Sequence, residues 1–187
     1  MNYLALLESA LPLVVAIGPA GTGKTFLPSR VAASKLRTGS LKKLIVTRPA
    51  VTVDEKHGFL PGTIEKKMKP WTQPVMDHLD FDPKKIEVCP LAFMRGRTFD
   101  QSWIIADEMQ NSTPAQMKMA LTRIGVGSKM IVTGDLSQID VPESGLVDLL
   151  KRMDRKYLIE FTEEDVLRSD IVKEILGWYR EGSSGPA

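Results

Sequence analysis

The chain has little of the chemistry that builds disulfide frameworks or histidine metal centres. Its 187 residues include one cysteine, Cys89, and two histidines, His57 and His78. One cysteine excludes a disulfide within the chain and offers no zinc set. The two histidines read more simply as surface or loop residues than as metal ligands. An excess of one charge is also missing, because 25 basic residues nearly cancel 23 acidic ones to leave a net charge of +2. That balance permits nucleic-acid binding without arguing for it. Long hydrophobic runs are absent. Residues 4–17 form an apolar stretch, but Glu8 and Pro12 interrupt it, it is too short to span a bilayer and no basic segment leads into it. The expectation is a cytoplasmic protein without a membrane partner. No internal repeat is present.

What remains is an ordinary globular composition, 43% hydrophobic and 26% charged, enough for one compact α/β domain. Its most informative run is Gly18-Pro19-Ala20-Gly21-Thr22-Gly23-Lys24-Thr25. It follows the apolar stretch 13–17 and precedes a helical segment. Strand, glycine-rich loop and helix are the context that makes G-x-x-x-x-G-K-[ST] a phosphate-binding loop. The glycines let backbone N–H groups turn inward onto phosphates, Lys24 can reach the outer phosphates, and the Thr25 hydroxyl can ligate Mg²⁺. The nucleotide-binding set read from this run is Gly18, Pro19, Ala20, Gly21, Thr22, Gly23, Lys24, Thr25 and Phe26.

Apolar runs alternate with helical segments along the chain. Strands are expected at 13–17, 41–47, 85–89, 103–106, 129–133 and 157–161. Helices are expected at 2–10 (placed to pack over the nucleotide), 24–37, 63–79, 113–124, 145–153 and 163–180. Thr113 suits an N-cap and Pro114 the first helical position. Thr162 can cap the last helix. The tail 182–187 reads as disordered. This alternation implies a mainly parallel sheet covered on both faces, with ligands at the carboxyl ends of the strands.

Two more strands end in chemistry. The run Ser102-Trp103-Ile104-Ile105-Ala106 leads into Asp107-Glu108. Asp107 is placed to hold the Mg²⁺ that Thr25 also touches, and Glu108 to orient or deprotonate the attacking water. The plainer alternative is a capping pair before the next helix. Gly134-Asp135-Leu136-Ser137-Gln138 follows another strand. The Gln138 amide can both donate and accept, which suits contact with a γ-phosphate or water, and Gln110 could act from the other side. Either glutamine could equally be a solvated turn residue.

Hydrolysis at such a loop is slow until an arginine neutralises transition-state charge. Arg48, Arg95, Arg97, Arg123 and Arg168 are the candidates. Arg168 is favoured, given in trans by a second copy, against a simple ion pair with Glu164 or Asp165. Arg95-Gly96-Arg97 beside Phe93 could hold a nucleic-acid backbone with one aromatic available for stacking, and Lys66, Lys67, Lys69, Lys84 and Lys85 add charge nearby in sequence. A solvated basic face is the bland alternative.

Several runs together resemble one family. They are 16–25, Thr47-Arg48-Pro49-Ala50-Val51, Gly58-Phe59-Leu60-Pro61-Gly62, 90–98, Asp107-Glu108-Met109-Gln110-Asn111, Gln116-Met117-Lys118-Met119, Leu121-Thr122-Arg123-Ile124-Gly125 and Thr133-Gly134-Asp135. In order, they resemble the PhoH-like ATPases, over residues 13–178. The resemblance implies a P-loop NTPase with a RecA-like three-layer α/β sandwich, similar to the first core domain of superfamily 1 helicases. Gly134-Asp135 with Gln138 looks like helicase motif III, and Thr47-Arg48-Pro49 like motif Ia. It further implies ATP and Mg²⁺ as ligands, ATP hydrolysis, work on RNA, and a homo-oligomeric ring such as a hexamer. The domain expected is a single ATPase unit over 1–181, close to a bare core without a nuclease or second RecA-like domain.

The chain departs from the family pattern in places. Pro28 replaces a usual helix former and is expected to kink or loosen the helix just after Thr25, by removing one hydrogen bond and crowding the Lys24 carbonyl. His57 and Met109 are milder departures. Arg168 is kept, but the His-Pro that usually follows it is not. The reading is an ATPase with Lys24, Glu108, Gln138 and Arg168 as catalytic residues and Thr25 and Asp107 as metal ligands. A small-molecule kinase and a slowly hydrolysing nucleotide switch are the alternatives.

Overall fold

The structure is a computed structural model that describes residues 2–49 and 83–166. Its strands are β1 (Leu13–Ile17), β2 (Lys43–Thr47), β3 (Ile86–Val88), β4 (Ser102–Ala106), β5 (Lys129–Gly134) and β6 (Leu158–Glu160). They form one six-stranded sheet in the order β3-β2-β4-β5-β1-β6, and every pairing is parallel. The helices are α1 (Tyr3–Glu8), α2 (Phe26–Arg37), α3 (Pro114–Leu121) and α4 (Gly145–Arg152).

The four central strands are short, buried and mostly apolar because both sheet faces are covered. Alternation along each strand assigns its side chains to opposite faces. Val14 and Ala16 of β1 join Leu44 and Val46 of β2, Ile105 and Ile131 in a core with Leu6, Leu7, Ala32 and Leu36 from α1 and α2. Val15 and Ile17 point the other way. They join Ile45, Ile104, Met130 and Val132 in a core with Met117, Ala120 and Leu146 from α3 and α4. The expected three-layer α/β sandwich is therefore present.

Element positions follow the sequence expectations, and differences have local causes. β2 begins at Lys43 rather than 41, because the Leu41 N–H turns back onto the Lys35 carbonyl at the end of α2 (3.0 Å). The expected helix 113–124 stops at Leu121, where the Thr122 N–H and hydroxyl both cap preceding carbonyls. Its start is as expected: Thr113 accepts from the Gln116 N–H, Gln116 accepts in return from the Thr113 N–H, and Pro114 leads the first turn. Thr162 caps a single turn, Glu163–Asp165. The expected helix 63–79, the remainder of 163–180 and the tail lie outside the described residues. Helix α2 starts at Phe26, not at 24, and runs without a break through Pro28. No break follows Thr25, but the expected loss of one backbone hydrogen bond, from residue 28 to the Lys24 carbonyl, is present. Pro28 is the third residue of α2, and the hydrogen bonds on either side of it, Leu27 N–H to the Gly23 carbonyl and Ser29 N–H to the Thr25 carbonyl, are made.

Candidate active site

Parallel strands aim their carboxyl ends at one edge, and the chemistry collects there. β1 ends at Ile17, opposite Gly134, the last residue of β5. The Gly18 N–H then bonds the Gly134 carbonyl (3.2 Å). β4 lies on the other side of β5, so one strand separates the phosphate loop from the Asp107-Glu108 turn. At the usual strand spacing that is about 10 Å between β1 and β4, and the Gly134–Gln138 turn occupies the gap.

The loop 18–25 takes the form expected of a phosphate cradle. Gly18, Gly21 and Gly23 have φ of 148°, 86° and 79°, a region closed to most side chains. Gly18 has a second reason to be glycine: a Cβ there would lie 2.7 Å from Phe161 Cβ. The Thr22 hydroxyl and the Lys24 ammonium each donate to the Pro19 carbonyl (2.9 Å). Lys24 is thereby drawn back across its own loop and almost fully buried.

Thr25 and Asp107 meet across the sheet edge. The Thr25 hydroxyl donates to Asp107 Oδ1 at 2.7 Å. Thr133, fully buried on β5, donates its hydroxyl to the same oxygen (2.5 Å). Asp107 is itself buried, and its N–H bonds the Thr47 carbonyl at the end of β2 (2.9 Å). A hydroxyl and a carboxylate side by side are the hard oxygen donors that Mg²⁺ takes, usually alongside phosphate oxygens and water. No group of three or more His, Cys, Asp or Glu that could hold a metal occurs among the described residues. The Thr25 and Asp107 oxygens fit a Mg²⁺ that takes its other ligands from phosphate and water.

Glu108 has φ 54° and ψ 37°, the left-handed conformation that non-glycine residues seldom adopt. Its carboxylate accepts from Gln110 Nε2 at 2.7 Å. Gln110 is fully buried and also bonds both ends of the neighbouring turn, accepting from the Asp135 N–H (3.2 Å) and donating to the Gln138 carbonyl (3.3 Å). The suggestion that Gln110 faces phosphate is thus replaced: its amide is spent inside the protein as a strut. Gly134 makes room for it, since a Cβ at 134 would meet Gln110 and Leu146. Gln138 is exposed, and its Nε2 bonds Asp135 Oδ2 at 2.6 Å. Burial pushes the Asp135 carboxyl up, but hydrogen bonds from Ser137 and Gln138 and the Lys24 charge outweigh it and hold the carboxyl below its usual range. Asn111 braces the same turn through the Asp140 N–H (2.8 Å).

The arginines separate. Arg48 directly follows β2, beside the Asp107 turn. Arg97 is bound to Glu87 and lies 4.5 Å over the Phe99 ring. Arg123 bonds the Arg97 carbonyl (3.1 Å), near where Phe99 bridges Ile124 ahead of β4 and β5 and so at the opposite sheet edge. Phe93 and Arg95 are exposed. Arg168, Lys66, Lys67 and Lys69 lie outside the described residues. Sequence reasoning missed Thr133 and Tyr3, whose hydroxyl bonds the Lys24 carbonyl at 2.6 Å. The only sequence signal for Thr133 was one hydroxyl at the polar end of an apolar strand.

Comparison with known proteins bears on the family and the fold. The chain is 48% identical over 184 residues to a PhoH-like protein of Bacillus subtilis (strain 168), covering 89% of this chain and 58% of that protein. It is 40% identical over 198 residues to the protein PhoH of Escherichia coli (strain K12), covering 96% of this chain and 56% of that protein. The chain thus spans little more than half the length of these curated relatives. Among solved structures, the large terminase of a thermophilic bacteriophage has a similar fold, with a TM-score of 0.60 at 14% identity over 92% of this chain and 48% of the terminase. Another crystal form of that terminase, in complex with ADP, gives 0.52 at 13% identity, with the same coverage of both chains. The family model for PhoH-like proteins matches residues 1–180, and the chain belongs to that family.

Proposed function

We propose that residues 1–181 form one Mg²⁺-dependent ATPase domain whose turnover is coupled to RNA in the cytoplasm. The observation that carries the reading is the 2.7 Å contact between the Thr25 hydroxyl and Asp107, made where the phosphate loop opens. The loop amides and Lys24 bind the β- and γ-phosphates. Thr25 and Asp107 hold Mg²⁺, which supplies charge neutralisation of the phosphate oxygens when bound. Glu108 orients a water for in-line attack and takes its proton. The bond from that water oxygen to the γ-phosphorus forms as the bond to the β–γ bridging oxygen breaks, leaving ADP and phosphate. Gln138 reads the presence of the γ-phosphate from the rim. Arg168 of a neighbouring copy in a homo-oligomeric ring completes the charge stabilisation.

Phosphate release with and without single-stranded RNA tests this directly. The wild type is expected to release phosphate with no acceptor present, whereas a kinase needs one. Glu108→Gln is expected to bind ATP normally and lose hydrolysis by about 10²-fold or more. Hydrolysis unchanged in Glu108→Gln removes the role given to that carboxylate. RNA that leaves the rate unchanged at low salt removes the coupling, and a monomeric solution mass with nucleotide bound removes the ring.

A further inference from the structure

Pro28 has no N–H, so it cannot donate to the Lys24 carbonyl four residues earlier. The hydrogen bonds on either side are intact: Leu27 N–H reaches the Gly23 carbonyl (3.0 Å) and Ser29 N–H the Thr25 carbonyl (3.3 Å). The ladder therefore skips one rung, at the residue whose side chain serves the phosphate loop. Tyr3 fills that rung from another helix. Its hydroxyl donates to the Lys24 carbonyl at 2.6 Å, in a buried contact.

Tyr3 is held firmly enough to do this. The residue is 5% exposed, and its ring packs edge-on against Phe161, with centroids 5.3 Å apart and planes at 79°. Phe161 is fixed by its N–H on the Ile17 carbonyl (2.8 Å) and is the residue that Gly18 must be glycine to accommodate. One aromatic pair thus touches both ends of the loop, at Gly18 and at Lys24. Helix α1 has only six residues, too few to be stable alone. Lys129 pins its far end by donating to the Leu7 and Ser9 carbonyls (2.7 Å each).

We propose that Tyr3 is a positioning residue of the nucleotide site: its hydroxyl replaces the backbone donor that Pro28 removes, and so fixes the Lys24 peptide in its phosphate-binding arrangement. Helix α1 is then a working part of the loop rather than a cover for the sheet. This rests on the reading of the loop as an ATP site.

Tyr3→Phe keeps the ring and its packing on Phe161 but deletes the donor. Pro28→Ala returns an N–H aligned with the same carbonyl. The test measures Mg²⁺–ATP affinity by calorimetry and, without nucleotide, amide hydrogen exchange across residues 18–25. Tyr3→Phe is expected to weaken binding about five- to tenfold and to speed loop exchange by a similar factor. The double variant Tyr3→Phe/Pro28→Ala is expected to recover most of both losses, a non-additivity that a general packing defect does not produce. Two results overturn the proposal: Tyr3→Phe leaving loop exchange and affinity unchanged, or a loss that Pro28→Ala does not recover. A wild-type protein that binds no ATP removes the nucleotide reading instead, and loop exchange still decides whether Tyr3 holds the loop.

Discussion

Glu108 sits on a left-handed backbone that costs about 1–3 kcal/mol for a residue with a Cβ. The surroundings that hold it there centre on Gln110, whose single amide serves Glu108, Asp135 and Gln138 at once. Gln110→Leu fills a similar volume but strips all three contacts. It leaves the buried Asp135 N–H without this partner and frees the Gln138 carbonyl at the rim. The expected cost is about 1–3 kcal/mol of stability, read by urea denaturation. Because Gln110 acts through Glu108 and does not touch substrate, kcat is expected to fall about tenfold or more while KM stays near wild type. A rise in KM alone would place Gln110 in binding rather than in orienting the base.

At the scale of elements, the caps explain why short helices hold their positions. Helix α3 has eight residues and a reciprocal capping box between Thr113 and Gln116. It covers the sheet face beneath the Glu108 turn through Met117 and Ala120. Thr113→Ala removes the acceptor for the Gln116 N–H and is expected to cost about 1 kcal/mol. Chemical denaturation checks this, and ATP affinity is expected to change little, since the helix meets the site only through the core. Most of these elements were legible beforehand. Thr113-Pro114 announces a helix start, and a five-residue apolar run before a glycine-rich loop announces a strand. The partner of the Lys24 carbonyl at the head of α2 was not legible, because it is a hydroxyl from Tyr3, 21 residues away in sequence.

At the scale of the molecule, the sheet has one edge at β3, a strand of three residues. Glu87 on that strand ties it inward, accepting from Lys43 of β2 and from Arg97. The Arg97 guanidinium, with Lys43, lowers the Glu87 carboxyl from 4.5 to about 2 despite its partial burial. Between those values the folded protein binds fewer protons than the unfolded chain, so acid favours unfolding. The contribution is fully present above pH 4.5 and is lost as pH falls through about 2. After allowance for solvent screening it is worth about 1 kcal/mol. Stability curves between pH 5 and about 2 are expected to fall less steeply in Glu87→Gln than in the wild type, and parallel curves would remove this role.

The sequence by itself determined the strand-loop-helix cradle, the Asp107-Glu108 and Gly134-Asp135 strand ends, and the parallel α/β class. Each is local: a run of apolar residues, a turn residue or a cap acts within a few positions of itself. Tertiary structure alone decided which side chains complete the site. Strand order set β5 between β1 and β4, which brought Thr133 onto Asp107 and Gln110 under the 134–138 turn. It also separated the arginines, leaving Arg48 beside the Asp107 turn while Arg97 and Arg123 were drawn into structural bonds. Those contacts join residues far apart in the chain, so no window of sequence contains them. Tyr3 and Pro28 show the same division: the missing N–H is written in the proline, but the hydroxyl that answers it is found only once α1 is folded against the loop.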